Sequence, residues 1–160
     1  MNINSLSQKY SVRKLDENDV DIIYDMSCKN DIFYQYHPPF VTRESILDDM
    51  GALPPGKGYD DKFYVGFFEN DSLVGLMDLI LDYPEKEISF IGLFMTDTRY
   101  QNRGVGSRII SDVILCLKSS GYKEIRLGVD KGNPQSYSFW TKNKFTPIRE
   151  DTYILMGLRI

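Results

Sequence analysis

Apolar residues recur along this chain at two spacings, every second residue in some stretches and every third or fourth in others, and the exchange between them lays out strands and helices. Tyr10 to Leu15 alternates and predicts a first strand. Asp16 then offers an N-cap and Asp19 a negative charge in the first turn, so a helix is expected to about Asn30, with Val20, Ile23, Tyr24 and Cys28 on one stripe. Asp31 to Phe40 reads as a loop crowded with aromatic rings. Thr42 caps a second short helix carrying Ile46, Leu47 and Met50, which Gly51 and Pro54 end. After a glycine- and proline-rich loop to Asp61, Phe63 to Phe68, Leu73 to Tyr83 and Ile88 to Thr96 predict three strands; their short connections imply an antiparallel meander.

Past residue 104 the spacing switches back. Ile109, Val113 and Leu117, with Ile110 and Ile114 beside them, repeat at helical intervals until Gly121 supplies a left-handed stop. Glu124 to Val129 then places Ile125, Leu127 and Val129 on one face, so a strand–helix–strand crossover sits inside an otherwise antiparallel sheet. Asn133 followed by Pro134 starts another helix, which carries Phe139 and Trp140 and ends before Phe145. Phe145 to Ile148 and Tyr153 to Leu158 complete the sheet. The pattern is that of a mixed α/β protein.

The stretch Gln101-Asn102-Arg103-Gly104-Val105-Gly106-Ser107 is a polar turn running into the long helix. At a helix N-terminus the first backbone N–H groups lack intrahelical partners and the macrodipole is positive, so a phosphate or pyrophosphate is the natural ligand. Glycine at 104 and 106 lets the backbone come close, and Arg99, Arg103 and Arg108 add positive charge. The plainer reading is a helix merely started by glycines. A dinucleotide-binding fingerprint would need a third glycine where Ile109 stands and a strand entering the first; a Walker loop would need Gly-Lys-Ser/Thr, which the chain lacks.

Composition narrows the class. With 160 residues, 42% apolar and 26% charged, the chain is expected to form one domain spanning 1–160, and no apolar run approaches the ~18 residues of a membrane span. Residues 1 to 9 lack a signal-peptide core, so a cytoplasmic location is the default. A net charge of −4 argues against broad nucleic-acid binding. Cys28 and Cys116 belong to no metal-spaced cluster, and nothing brings the only histidine, His37, to either of them, so both are expected to be core residues.

Gln101-x-x-Gly104-x-Gly106 resembles the pyrophosphate signature of the GNAT superfamily of acetyl-CoA-dependent N-acetyltransferases. Leu127, Val129, Asn133, Phe139, Trp140, Lys142 and Phe145 are similar to its second motif, in the right order. The resemblance implies a mostly antiparallel six- to seven-stranded sheet flanked by about four helices. It implies acetyl-CoA as cosubstrate, no metal, and direct transfer to an amine in a ternary complex. Cofactor contacts would come from Phe94, Met95 and Thr96 on a splayed strand edge, from Gln101, Asn102, Arg103, Gly104, Val105, Gly106 and Ser107, and from Asn133 and Trp140. Many members carry a tyrosine where Trp140 stands, as proton donor to the thiolate. Tyr137, one turn upstream, is the nearest replacement, with solvent as the alternative. For the base, Gly128 and Phe90 occupy the positions where members keep a carboxylate, leaving Glu87, Asp78 and Asp130 as candidates. Phe33, Tyr34 and Tyr36 are either a satellite core or a wall of the acceptor pocket. The acceptor would be a small-molecule or peptide amine, neither nucleic acid nor membrane being involved, and a homodimer is allowed. The rival reading is a non-catalytic acyl-CoA-binding module on the same fold.

Overall fold

The computed structural model describes residues 1–160. Its strands are β1 (Ser11–Lys14), β2 (Lys62–Glu69), β3 (Ser72–Ile80), β4 (Ile88–Thr96), β5 (Glu124–Val129), β6 (Thr146–Glu150) and β7 (Ile154–Arg159). The helices are α1 (Val20–Ser27), α2 (Asp31–Tyr36), α3 (Arg43–Gly51), α4 (Val105–Ser119) and α5 (Pro134–Lys142). The strands form one sheet in the order β1-β2-β3-β4-β5-β7-β6, and only β4 and β5 run parallel, joined by α4. That is the expected crossover, because a parallel pair needs a long connection that a helix supplies.

Two expectations need correction. Asp31 to Phe40 is not wholly a loop: Asp31–Tyr36 is a helical segment, α2. Its short length and its run of aromatic residues with no stripe hid it from periodicity. The helix α1 ends at Ser27, not near Asn30. Elsewhere the local signals act as read. Asp16 accepts from the Asn18 N–H while Asp19 accepts from the Asp16 N–H, and Thr42 and Ser45 cap each other at the start of α3.

Two hydrophobic clusters lie back to back on the sheet. One joins Ile109, Ile110, Val113 and Leu117 of α4 and Trp140 of α5 to Met77, Ile91, Ile125 and Leu127. The other joins Val20, Ile23 and Met26 of α1 and Ile46 of α3 to Tyr64, Leu76 and Met95. Central strands covered on both faces are apolar nearly throughout, which is why β2 and β3 carry so little alternation. No helix is long and apolar enough to cross a membrane.

Candidate active site

The strands β4 and β5 pair only from Ile88 to Ile91 against Glu124 to Leu127. Beyond that point β5 stays with β7 and β4 with β3. The β3–β4 register slips between Asp78 and Leu79, whose partners are Leu93 and Ile91, so Gly92 is the extra residue of a bulge. A bulge bends its strand. The wedge between the diverging strands widens into an open cavity of about 700 Å³, lined by Phe94, Met95 and Thr96, by residues of the 101–107 turn and by α5.

Both helices start at this cavity. Gly104 is the N-cap of α4 with φ +76°, a conformation that glycine takes without steric cost, and nothing lies within 4 Å of where its Cβ would be. Val105, Gly106 and Ser107 form the first turn of α4, so their N–H groups have no intrahelical partners, and all three line the cavity. Gly106 has a second reason to be glycine: a Cβ there would sit 3.0 Å from the Phe139 ring. Close packing of α5 on α4 therefore requires it, in addition to any ligand. At the start of α5, Asn133 is 3% exposed and its Oδ1 accepts from the Ser136 N–H at 3.1 Å. Two positive helix ends thus face one space, a field suited to a polyanion such as a pyrophosphate.

The Gln101 side chain turns inward. Its Nε2 donates to Asn30 Oδ1 at 2.7 Å and to the Thr96 carbonyl at 3.1 Å, while Asn30 Nδ2 donates to the Met26 and Thr96 carbonyls. Asn30, 7% exposed, therefore ties the end of α1 to both the strand edge and the turn. The sequence reading missed it. Lys142, a position of the second motif to which no cofactor contact was assigned, and Ser138 also line the cavity, and Lys142 is the only titratable side chain that does.

The structure brings Phe33, Phe94, Met95, Thr96, Gln101, Asn102, Gly104, Val105, Gly106, Ser107, Asn133 and Trp140 to the cavity. It leaves others outside. Arg103 is exposed and off the lining, and the Arg99 guanidinium is held by Asp97 at 2.9 and 3.0 Å. Tyr137, 39% exposed, does not line the cavity: residues three apart on a helix are neighbours, but Trp140 turns into the core while Tyr137 turns to solvent. Glu87 is at the wrong end of β4. Seven residues at ~3.3 Å each put it roughly 20 Å from Phe94, and its carboxylate pairs with Lys123 at 2.6 Å. Tyr34 packs against Phe33 and Phe40, with ring centroids 4.9 and 5.1 Å apart, and burial pushes its phenol pKa up. Tyr36 lies by the loop after β5, 3.8 Å from where a Cβ on Gly132 would be.

The remaining carboxylates lie on the α1–α3 side. Asp130 meets His37 Nδ1 at 3.0 Å, linking the end of α2 to that loop. Asp78 accepts from the buried Lys62 ammonium at 2.7 Å. Burial raises the Asp78 pKa above the usual carboxylate value, although Lys62 opposes it.

Residues 25–145 match the model of the acetyltransferase (GNAT) family, and the chain belongs to that family. No curated protein matches the chain. Among solved structures it is similar to an acetyltransferase from Thermus thermophilus, with TM-score 0.80, 17% identity, and 95% of this chain and 97% of that one covered. It is also similar to the PaiA N-acetyltransferase from Thermoplasma acidophilum in complex with coenzyme A, with TM-score 0.71, 18% identity, and 94% and 98% covered. A third is the ribosomal-protein-S18-alanine N-acetyltransferase from Escherichia coli, with TM-score 0.66, 15% identity, and 94% and 93% covered. At these identities the likeness is one of fold.

Proposed function

We propose that this protein transfers an acetyl group from acetyl-CoA to a primary amine, directly and within a ternary complex. The observation that carries the reading is the wedge itself: a strand edge that has lost its neighbour opens onto two helix N-termini. A pantetheine arm would lie along Phe94 to Thr96 as an added strand, and the pyrophosphate would meet the amides of Val105 to Ser107. Orientation does most of the work in such a transfer, because a thioester is already activated and a well-placed neighbour reacts far faster than a free one. Neither cysteine lines the cavity, which supports direct attack over a covalent enzyme intermediate.

No phenol lines the cavity either, and Trp140 offers an N–H that does not titrate in a useful range. Water is then the proton source for the departing thiolate. The amine would enter from the α1–α3 side, past Phe33, Tyr34 and Tyr36. One observation favours the rival reading of a binding module: Lys142 is the sole titratable group on the lining. Calorimetry with acetyl-CoA, followed by a screen of small amines, amino acids and peptide N-termini for CoA release, separates the two. Binding together with release establishes the transferase. Binding with no release from any amine leaves the module.

A further inference from the structure

An alkylamine has a reference pKa near 10.4, so at neutral pH it must lose a proton before it can attack, and the cavity lining holds no carboxylate or imidazole to take it. The sheet supplies one just behind. Asp78 lies on β3 beside Leu76, hence on the α1–α3 face, and pairs with Leu93 at the bulge of β4. Its Oδ2 is 2.9 Å from where a Cβ on Gly92 would stand. The carboxylate thus rests against β4 at the residue where β4 and β5 part, two residues before Phe94. Lys62 holds Oδ2, whereas Oδ1 is buried and has no hydrogen-bond partner. A buried acceptor without a donor costs about 1–3 kcal/mol. In a fold whose other buried polar side chains are satisfied, apart from Ser89, that cost calls for a function.

We propose that Asp78, pinned by Lys62 through Oδ2 and with its buried Oδ1 unpaired, is the proton acceptor for the incoming ammonium group, and that the acceptor is therefore a protonated alkylamine approaching from the α1–α3 face. This rests on the transferase reading above. The ammonium passes one proton through a water to the Asp78 carboxylate, which stands just behind the cavity lining, and the free amine attacks the thioester carbonyl carbon. The C–N bond forms, the C–S bond breaks, and water relays the second proton lost from nitrogen to the CoA thiolate. Asp78 returns its proton to solvent before the next turnover. The groups facing the carboxylate are Lys62 and Tyr64 from β2 and Asp49 from α3, with Tyr34 of α2 and His37 just after it beyond Asp49. Burial, the largest effect, makes Asp78 a stronger base than an exposed carboxylate, and Asp49 acts in the same direction. The absence of a side chain on Gly92 is what leaves room for the carboxylate at the bulge.

The test uses the primary alkylamine that turns over fastest in the screen above, with hydroxylamine, which is unprotonated at neutral pH, as the second acceptor. Asp78→Asn should lower kcat/KM for the alkylamine by roughly 100-fold at neutral pH, a usual size for positioned base catalysis. The deficit should shrink as pH rises toward the amine's own pKa, and it should stay within about threefold for hydroxylamine. Acetyl-CoA affinity should not change. Gly92→Ala displaces the carboxylate without removing it and should give the same selective loss, so it carries the test if Asp78→Asn does not fold. A folded variant that loses both acceptors equally, or neither, overturns the proposal while leaving the transferase standing. Failure of every amine in the wild-type screen overturns both.

Discussion

On the α4–α5 face the cavity is bounded largely by main chain, two helix starts and one strand edge, whereas the α1–α3 face is built from side chains: three aromatic rings, a buried ion pair and a histidine–aspartate contact. On the proposed function, the difference follows from what each side would recognise. A pyrophosphate is the same in every acyl-CoA, and backbone N–H groups at a helix N-terminus bind it with little help from side-chain identity. An amine acceptor differs from enzyme to enzyme, so its recognition has to be written in residues that can vary without disturbing the fold.

If that division holds, substitutions on the two faces should separate cofactor binding from acceptor handling. The largest effect is expected at Gly104. Gly104→Asp places a carboxylate and a Cβ at a φ of +76° where the anion should approach, and acetyl-CoA affinity should fall roughly 100-fold or more, with circular dichroism unchanged. Calorimetry checks it, and unchanged affinity in a folded variant would remove the helix-terminus site. A smaller effect is expected across the sheet. Tyr36→Ala should raise acceptor KM by about fivefold, equivalent to ~1 kcal/mol of lost contact, while acetyl-CoA affinity holds. Tyr34→Ala, which opens the packed ring cluster, should instead lower stability by about 2 kcal/mol in a denaturant titration.

Tyr137→Phe should leave kcat within about threefold of wild type, because the side chain faces solvent; a loss of ~100-fold under conditions where chemistry limits turnover would return the phenol to the mechanism. The smallest effect is expected from acid. The Arg13 guanidinium holds the Asp19 carboxyl below its usual value. A depressed carboxylate contributes stability that is present above the unfolded pKa near ~3.9 and is lost as pH falls through the folded value. Asp19→Asn should therefore lower Tm at neutral pH, with the gap to wild type closing below about pH 4, and because Arg13 is half exposed the gap should be small.

The two faces also differ in how much of them the sequence carries. Gly104 with Gly106, and Asn133 with Pro134, are local signals, since helix starts are decided by residues within one turn of one another. The order of strands and the α4 crossover follow from spacing for the same reason. By contrast, the partner of Asn30 is Gln101, 71 positions away, and no short-range pattern announces it. Glu87 looked serviceable because it stands beside a strand that enters the site, but one residue's place in a strand does not say which end meets the ligand. Tyr137 and Trp140 are separated by one turn, yet one is solvent-facing and the other is 6% exposed, a difference set by Phe94, Phe139 and Phe145 around the indole.

The brief pairing of β4 with β5 has a mechanical side. The antiparallel ribbon β1–β4 and the ribbon β5–β7–β6 are each stitched along their length, but within the sheet only the four residue pairs from Ile88 to Ile91 join one to the other, with α4 lying across the join. A molecule seated in the wedge would bridge β4 to α5, the helix that follows β5, and act as a rivet where the two ribbons part. At a hundred times its dissociation constant such a rivet adds about 2.7 kcal/mol to the folded state, so occupancy and the integrity of the sheet rise and fall together.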